Sequence, residues 1–413
     1  MEKALQSLRK NGRALRALNT AEKNLVLKSM AENLLQTEKE ILVANEKDLK
    51  NLPAETTSAF RDRLTLNSKR LEQMAESLRQ VSELSDPVGE LVEQRTLANG
   101  LDLQKVRAPL GIIFMIFESR PNVILEAFAL AFKSGNTLIL RGGSDSRETS
   151  AVIYQMMDQV LAKNHLQDKV FYGVQDYDRA IVEQLLQRKD LIDVVVPRGG
   201  EKLIEFVQKT AMMPIIKNDR GLCHTYVDSD ADLAMAVRIV TNAKTHRPGV
   251  CNALETVLVH QDCALAFLPQ LYQNTESFGL QWRVDAASEK ILKGQKNIQM
   301  AAEKDWDTEY LDLVMNCRVV ADLNEAILHI EQHGSKHSEA IVTKNEAHAR
   351  RFQQEIDAAV VYWNASTRFT DGFEFGLGGE LGISTQKLHV RGPVGLRELT
   401  TPRWIVSGSG QIR

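Results

Sequence analysis

Residues 111–143 read GIIFMIFESRPNVILEAFALAFKSGNTLILRGG. The run opens on seven residues with no charge, continues through a stretch of helical length, and closes on a second short apolar segment that ends in Arg-Gly-Gly. Together with Leu110 the first run is the longest apolar stretch of the chain, far short of the roughly 20 residues a membrane-spanning helix needs, and it reads as a buried strand. Strand, helix, strand in this order is a βαβ unit. The pattern repeats downstream as RETSAVIYQMMDQVLAKN, KVFYGV, DRAIVEQLLQR, IDVVVPRGG and EKLIEFVQKTA, which implies a parallel sheet covered by helices on both faces. In such a sheet a nucleotide binds at the carboxyl ends of the strands, where Gly142, Gly143, Gly199 and Gly200 stand.

Upstream, residues 1–85 carry apolar positions every three to four residues and read as helices. Residues 88–110 alternate polar and apolar around Asn99-Gly100, which predicts a hairpin projecting from the body. A second α/β series starts near His224 and runs to about Tyr362, followed by a glycine-rich tail that ends in the strand-like TPRWIVSG. At 413 residues, two or three units sharing an interface are expected. The 51 basic and 54 acidic residues are mixed along the chain for a net charge of -3, which excludes nucleic acid and anionic membrane as main partners. The basic, amphipathic N-terminus carries Glu2 and lacks a small-residue cleavage site, so it reads as a surface helix.

Cys223, Cys251, Cys263 and Cys317 show no metal-ligand or CxxC spacing, which argues against zinc or a disulfide framework and for a reducing cytosol. His224, His260, His333 and His337 have no carboxylate or second cysteine at ligand spacing, so no metal is expected. Cys251 differs from the other cysteines in its setting, THRPGVCNALET. His246, Arg247 and the turn at Gly249 can lower a thiol pKa, so the residue is either a nucleophile or a partly buried inert thiol. Asn122, between the first strand and its helix, is either a helix cap or an amide donor for a developing oxyanion. LRGG at 140–143 and PRGG at 197–200 are either turns or phosphate loops, with Arg141 and Arg198 as possible phosphate partners.

Taken in order, ESRPNV, LRGG, PRGGEKL, TNAKTHRPGVCNALET, YWNASTRFTDG and FGLGGELGISTQKLHVRGPVGL resemble the γ-glutamyl phosphate reductase family of proline biosynthesis, from about residue 10 to the C-terminus. The resemblance implies an α/β, aldehyde dehydrogenase-like fold: two parallel-sheet α/β domains with an oligomerisation hairpin and C-terminal strand. It assigns 1–87 and 111–223 to a dinucleotide-binding domain, 88–110 and 383–413 to the oligomerisation element, 224–363 to the catalytic domain, and 364–382 to a return segment lining the cleft. It makes Cys251 the nucleophile and Asn122, with the Cys251 N–H, the oxyanion hole. Arg141, Gly142, Gly143, Arg198, Gly199, Gly200 and Glu309 are implied to bind NADPH/NADP+. Arg120, Arg247, Asn364, Ser366, Thr367, Arg368 and Arg391 are implied to bind L-glutamyl 5-phosphate. A cytoplasmic homo-oligomer, with possible channelling from glutamate 5-kinase, completes the picture. Oxidative relatives in the superfamily place a general-base glutamate where this chain has PIIKNDRGLCH, with Lys217 and Asn218, so no base is offered for thioester hydrolysis.

Overall fold

The computed structural model describes residues 1–118, 120–166, 170–217 and 220–413, with 58 and 59 described for the backbone alone. The chain divides into two compact units, one of 1–218, 376–382 and 393–413, the other of 219–375 and 383–392.

The first unit begins with five helices: α1 (Glu2–Ala17), α2 (Thr20–Gln36), α3 (Glu38–Lys50), α4 (Ser58–Leu64) and α5 (Ser68–Glu83). Their apolar stripes face inward; Leu5, Leu8 and Leu15 of α1 are fully buried. Asn19 closes a capping box with Glu22 at the start of α2. Next come the hairpin strands β1 (Leu91–Thr96) and β2 (Asp102–Pro109). Leu97 accepts the Gly100 N–H at 2.8 Å and donates to Leu101 at 2.8 Å, and Gly100 has φ 86, so the loop is a three-residue turn with glycine in the left-handed position. The C-terminal strand Thr400–Ser407 adds to β2 antiparallel, completing a three-stranded ribbon. Leu91, Val92, Trp404, Ile405 and Val406 are exposed along it.

The sheet foreseen from 111–143 is present: β3 (Ile112–Phe117), β4 (Thr137–Arg141), β5 (Phe171–Gly173) and β6 (Val194–Arg198) pair in the order β5-β4-β3-β6, all parallel. Helices α6 (Val123–Lys133), α7 (Arg147–Lys163), α8 (Arg179–Leu186) and α9 (Glu201–Thr210) connect and cover the strands. Every residue of β3 is buried, which is why the sequence carries no charge there.

The second unit holds a seven-stranded parallel sheet. Its elements are β7 (Cys223–Val227), α10 (Leu233–Thr245), β8 (Leu254–His260), α11 (Gln261–Thr275), β9 (Gln281–Val284), α12 (Ala286–Ile291), β10 (Ile298–Met300), β11 (Val314–Val320), α13 (Leu323–His333), β12 (Ser338–Val342), α14 (Glu346–Glu355) and β13 (Val360–Trp363). The strand order is β10-β9-β11-β8-β7-β12-β13. The tail differs from the sequence reading, which ran 383–413 as one element: 383–392 belong with the second unit and 393–413 with the first. Glycines at 376, 378, 379, 382 and 392 take positive φ, so no periodic pattern marks where the chain passes from one to the other.

Candidate active site

In the second unit α10 ends at Thr245 because Pro248 and Gly249 cannot extend it. The loop that follows turns tightly at Val250, whose carbonyl accepts the Ala253 N–H at 3.0 Å, so Cys251 and Asn252 occupy the centre of a β-turn ahead of β8. Cys251 is partly exposed, whereas Cys223, Cys263 and Cys317 are buried. Burial pushes the Cys223 thiol well above its ordinary pKa, Cys263 up to about 11 and Cys317 up to about 12. Of the four thiols, Cys251 alone has the exposure a nucleophile requires.

The loop is tightly supported. A Cβ on Gly221 would lie 1.7 Å from the Cys251 carbonyl oxygen and 2.5 Å from its Cα, so two backbones meet where only glycine fits. The Gly221 N–H donates to Glu309 Oε1 at 2.9 Å, and the Cys223 thiol donates to the Cys251 carbonyl at 3.3 Å. From the tail, Thr367 Oγ1 donates to the Asn252 carbonyl at 2.8 Å, and Asn252 Nδ2 donates to the carbonyls of Thr370 at 2.8 Å and Arg368 at 3.3 Å. This stitching brings Arg368 within electrostatic reach of Arg247 and Cys251; burial first, and then the like charge of Arg247, holds the Arg368 guanidinium below its ordinary pKa. Ser366 is buried and accepts the Arg368 N–H at 3.3 Å.

Two residues that the resemblance implies at the substrate have partners within the chain. Asn364 has both ends of its amide on Thr343, accepting its N–H at 3.0 Å and donating to its carbonyl at 2.9 Å, so it pins the carboxyl end of β12. Arg391 pairs with Asp357 at 2.8 Å, where Lys387 also binds at 2.9 Å; Lys387 first, then Arg391, holds the Asp357 carboxyl far below its usual range. Asp357 precedes β13, three strands from β8, which places this cluster about 14 Å along the sheet edge at ~4.8 Å per strand.

In the first unit the Gly200 N–H, at the start of α9, donates to a carboxylate oxygen of Glu118 at 2.9 Å. A Cβ on Gly199 would lie 2.5 Å from that same oxygen. The amino end of α9 thus already holds an anion. Gly142 packs against the Phe117 ring, and Gly143 precedes the turn that leads into α7. The two arginines of these loops point inward. Arg141 donates to the carbonyls of Gly142 at 3.0 Å and Tyr177 at 2.9 Å and lies over the Tyr177 ring. Arg198 donates to Glu126 at 3.4 Å and to the Glu380 carbonyl at 3.2 Å, tying β6 to α6 and to the tail. Asn122 stands at the N-cap of α6 but makes no side-chain cap bond, so the capping alternative is not realised. Arg120 belongs to the same unit, as does the partly exposed Lys217; Asn218 lies outside the described residues.

The four histidines considered for a metal have partners within the chain. His224 Nδ1 lies 3.0 Å from Glu339, His333 Nδ1 lies 2.9 Å from Asp307, His260 accepts the Asp262 N–H at the start of α11, and His337 is buried beside Ser338. Among the described residues no group of three or more His, Cys, Asp or Glu is placed to hold a metal ion. No helix of the described residues is long and apolar enough to cross a membrane. Sequence reasoning missed Gly221, Lys244 and Glu255, which surround the Cys251 loop; the available signal was a glutamate inside the buried strand LETVLVH.

A model of the aldehyde dehydrogenase family matches residues 1–289. A gamma-glutamyl phosphate reductase of Francisella philomiragia subsp. philomiragia is 49% identical over 396 residues, spanning 96% of this chain and 95% of the relative. One of Clostridium tetani is 45% identical over 409 residues, spanning 97% and 96%. Among solved structures, the gamma-glutamyl phosphate reductase of Thermotoga maritima matches with a TM-score of 0.95 at 42% identity, over 100% of this chain and 99% of the other.

Proposed function

The chain belongs to the aldehyde dehydrogenase family, among its γ-glutamyl phosphate reductases, and from that premise we propose that it reduces L-glutamyl 5-phosphate to L-glutamate 5-semialdehyde and phosphate through a thioester on Cys251. The observation that carries the reading is a partly exposed cysteine on a supported β-turn, with Arg368 in electrostatic reach of both Cys251 and Arg247.

The Cys251 thiolate attacks the acyl carbon of the substrate, the carbon–oxygen bond to the phosphate breaks, and phosphate leaves with the bonding electrons. Arg247 and Arg368 offset the charge of a phosphate that must approach a thiolate. NADPH, the proposed reductant, would when bound supply the hydride for the thioester carbonyl. Its pyrophosphate would take the N–H groups of Gly199, Gly200 and the first turn of α9, displacing the Glu118 carboxylate that the Gly200 N–H now bonds, with Gly142 and Gly143 shaping the other loop. Asn122 and the Cys251 N–H are assigned to the oxyanion, whose collapse expels the Cys251 thiolate and releases the aldehyde. Lys217, in place of the superfamily's base, leaves water unactivated. The exposed apolar ribbon is assigned to self-association in a homo-oligomer, which sedimentation of a Trp404→Asp variant would test.

The reaction run backwards tests the substrate. Glutamate 5-semialdehyde should reduce NADP+ only when phosphate is present, and Arg247→Ala and Arg368→Ala should each raise the phosphate KM by about ten- to a hundredfold while sparing NADP+ affinity. Phosphate-independent turnover, or turnover that requires coenzyme A, would assign the chain to a different acyl acceptor.

A further inference from the structure

Lys244 and Glu255 form an ion pair inside the second unit at the base of the Cys251 loop. Lys244 lies in the last turn of α10, Glu255 is the second residue of β8, and the eight loop residues 246–253 run between the two elements. The Lys244 Nζ to Glu255 Oε2 distance is 2.9 Å, with the side chains 0% and 1% exposed. The other carboxylate oxygen of Glu255 accepts the Leu311 N–H at 3.4 Å. Leu311 is two residues beyond Glu309, the acceptor of the Gly221 N–H, and Gly221 is the glycine against the Cys251 carbonyl. The contacts therefore close a ring: from Lys244 to Glu255, to the 309–311 segment, to Gly221, and back to the turn that carries the cysteine.

An ion pair so fully withdrawn from water is a poor device for stability, because desolvating two charges costs about what their attraction returns, and apolar residues of similar volume often serve as well. Burial raises the Glu255 carboxyl to about 7 and pulls the Lys244 ammonium down, the signature of that desolvation. What a buried pair does supply is one fixed distance between two elements. Here those elements are the two ends of the nucleophile's loop.

We propose that Lys244 and Glu255 are positioning residues: their ion pair sets the geometry of loop 246–253 and so aims Cys251, without touching the reacting atoms. The proposal rests on Cys251 being the nucleophile. Misplacing a reacting group by about 1 Å can cost on the order of a hundredfold in rate, so the effect of disturbing the pair falls on kcat.

Two variants test it. Glu255→Asp keeps the charge but shortens the reach by one methylene, and Lys244→Met/Glu255→Leu replaces the pair by apolar residues. Both are expected to melt within a few degrees of the parent, to keep the KM for both substrates within twofold, and to lose at least tenfold in kcat. Alkylation of Cys251 by iodoacetamide, followed by peptide mass spectrometry without any cofactor, is expected to slow at least threefold. Should the double variant not fold, Glu255→Asp carries the test alone. Wild-type kcat and alkylation in either folded variant overturns the proposal, and so does a loss confined to KM. A Cys251→Ala enzyme that still turned over would instead remove the nucleophile reading. An inactive Cys251→Ala beside a fully active Glu255→Asp would remove only the positioning pair.

Discussion

At the scale of single residues, the proposed nucleophile is distinguished from the other cysteines by what surrounds each thiol. Burial pushes the Cys263 thiol up to about 11 and Cys317 up to about 12, and Cys223 the same way, so the thiolate form is disfavoured at all three. Limited iodoacetamide is therefore expected to label Cys251 first by a wide margin; even labelling across the four would mean that burial does not protect the others. Gly221 gives an independent prediction. Gly221→Ala drives a Cβ into the Cys251 backbone, and we expect about a hundredfold loss of kcat with cofactor binding in the first unit retained. An alanine enzyme of normal rate would show that the loop yields without consequence. The partial exposure of Cys251 was legible because two basic residues and a Pro-Gly pair precede it. The sequence does not reveal that Asn364, Arg198 and Arg391 have partners within the chain, here Thr343, Glu126 with the Glu380 carbonyl, and Asp357, because commitment of a polar side chain is set by the fold.

At the scale of elements, the parallel strands of the first unit were readable because a strand buried on both faces must be continuously apolar, and β3 and β4 obey that rule. The hairpin was readable from Asn99-Gly100, although the turn places only Gly100 at positive φ. Helix α11 was not foreseen as an element: Pro269 sits inside it, and a proline argues locally against what packing of Phe267, Leu268 and Leu271 nevertheless stabilises. The loop after β4 yields a cofactor prediction that differs from the sequence expectation. Because the Arg141 guanidinium serves two carbonyls and the Tyr177 ring, Arg141→Ala should weaken NADPH and NADH binding alike through the loop it supports. Titration of both cofactors against the variant checks this; a loss selective for NADPH would make Arg141 a partner of the adenosine 2′-phosphate, the one group that distinguishes the two cofactors.

At the scale of the whole molecule, the chain builds two α/β units, and segments of its tail belong to each. Acid should act on the second. Burial lowers His337 from 6.5 to about 4 and His329 to about 2, the latter also beside His224, His333 and Arg318. A group whose folded pKa lies below its unfolded value contributes stability above the unfolded pKa and loses it as pH falls toward the folded one. From pH 7.5 to 5 each ring should therefore cost about 2 kcal/mol. Denaturant titrations at the two pH values check this, with His337→Gln expected to flatten the dependence; equal midpoints would mean the folded rings accept protons. The central claim, a thioester on Cys251, is tested most directly by mass. Enzyme mixed with glutamate 5-semialdehyde and NADP+ without phosphate, quenched in acid and digested, is predicted to carry one glutamyl group on the peptide containing Cys251, removed by adding phosphate before the quench. A glutamyl group on any other residue, or a Cys251→Ala enzyme that still turns over, would contradict it.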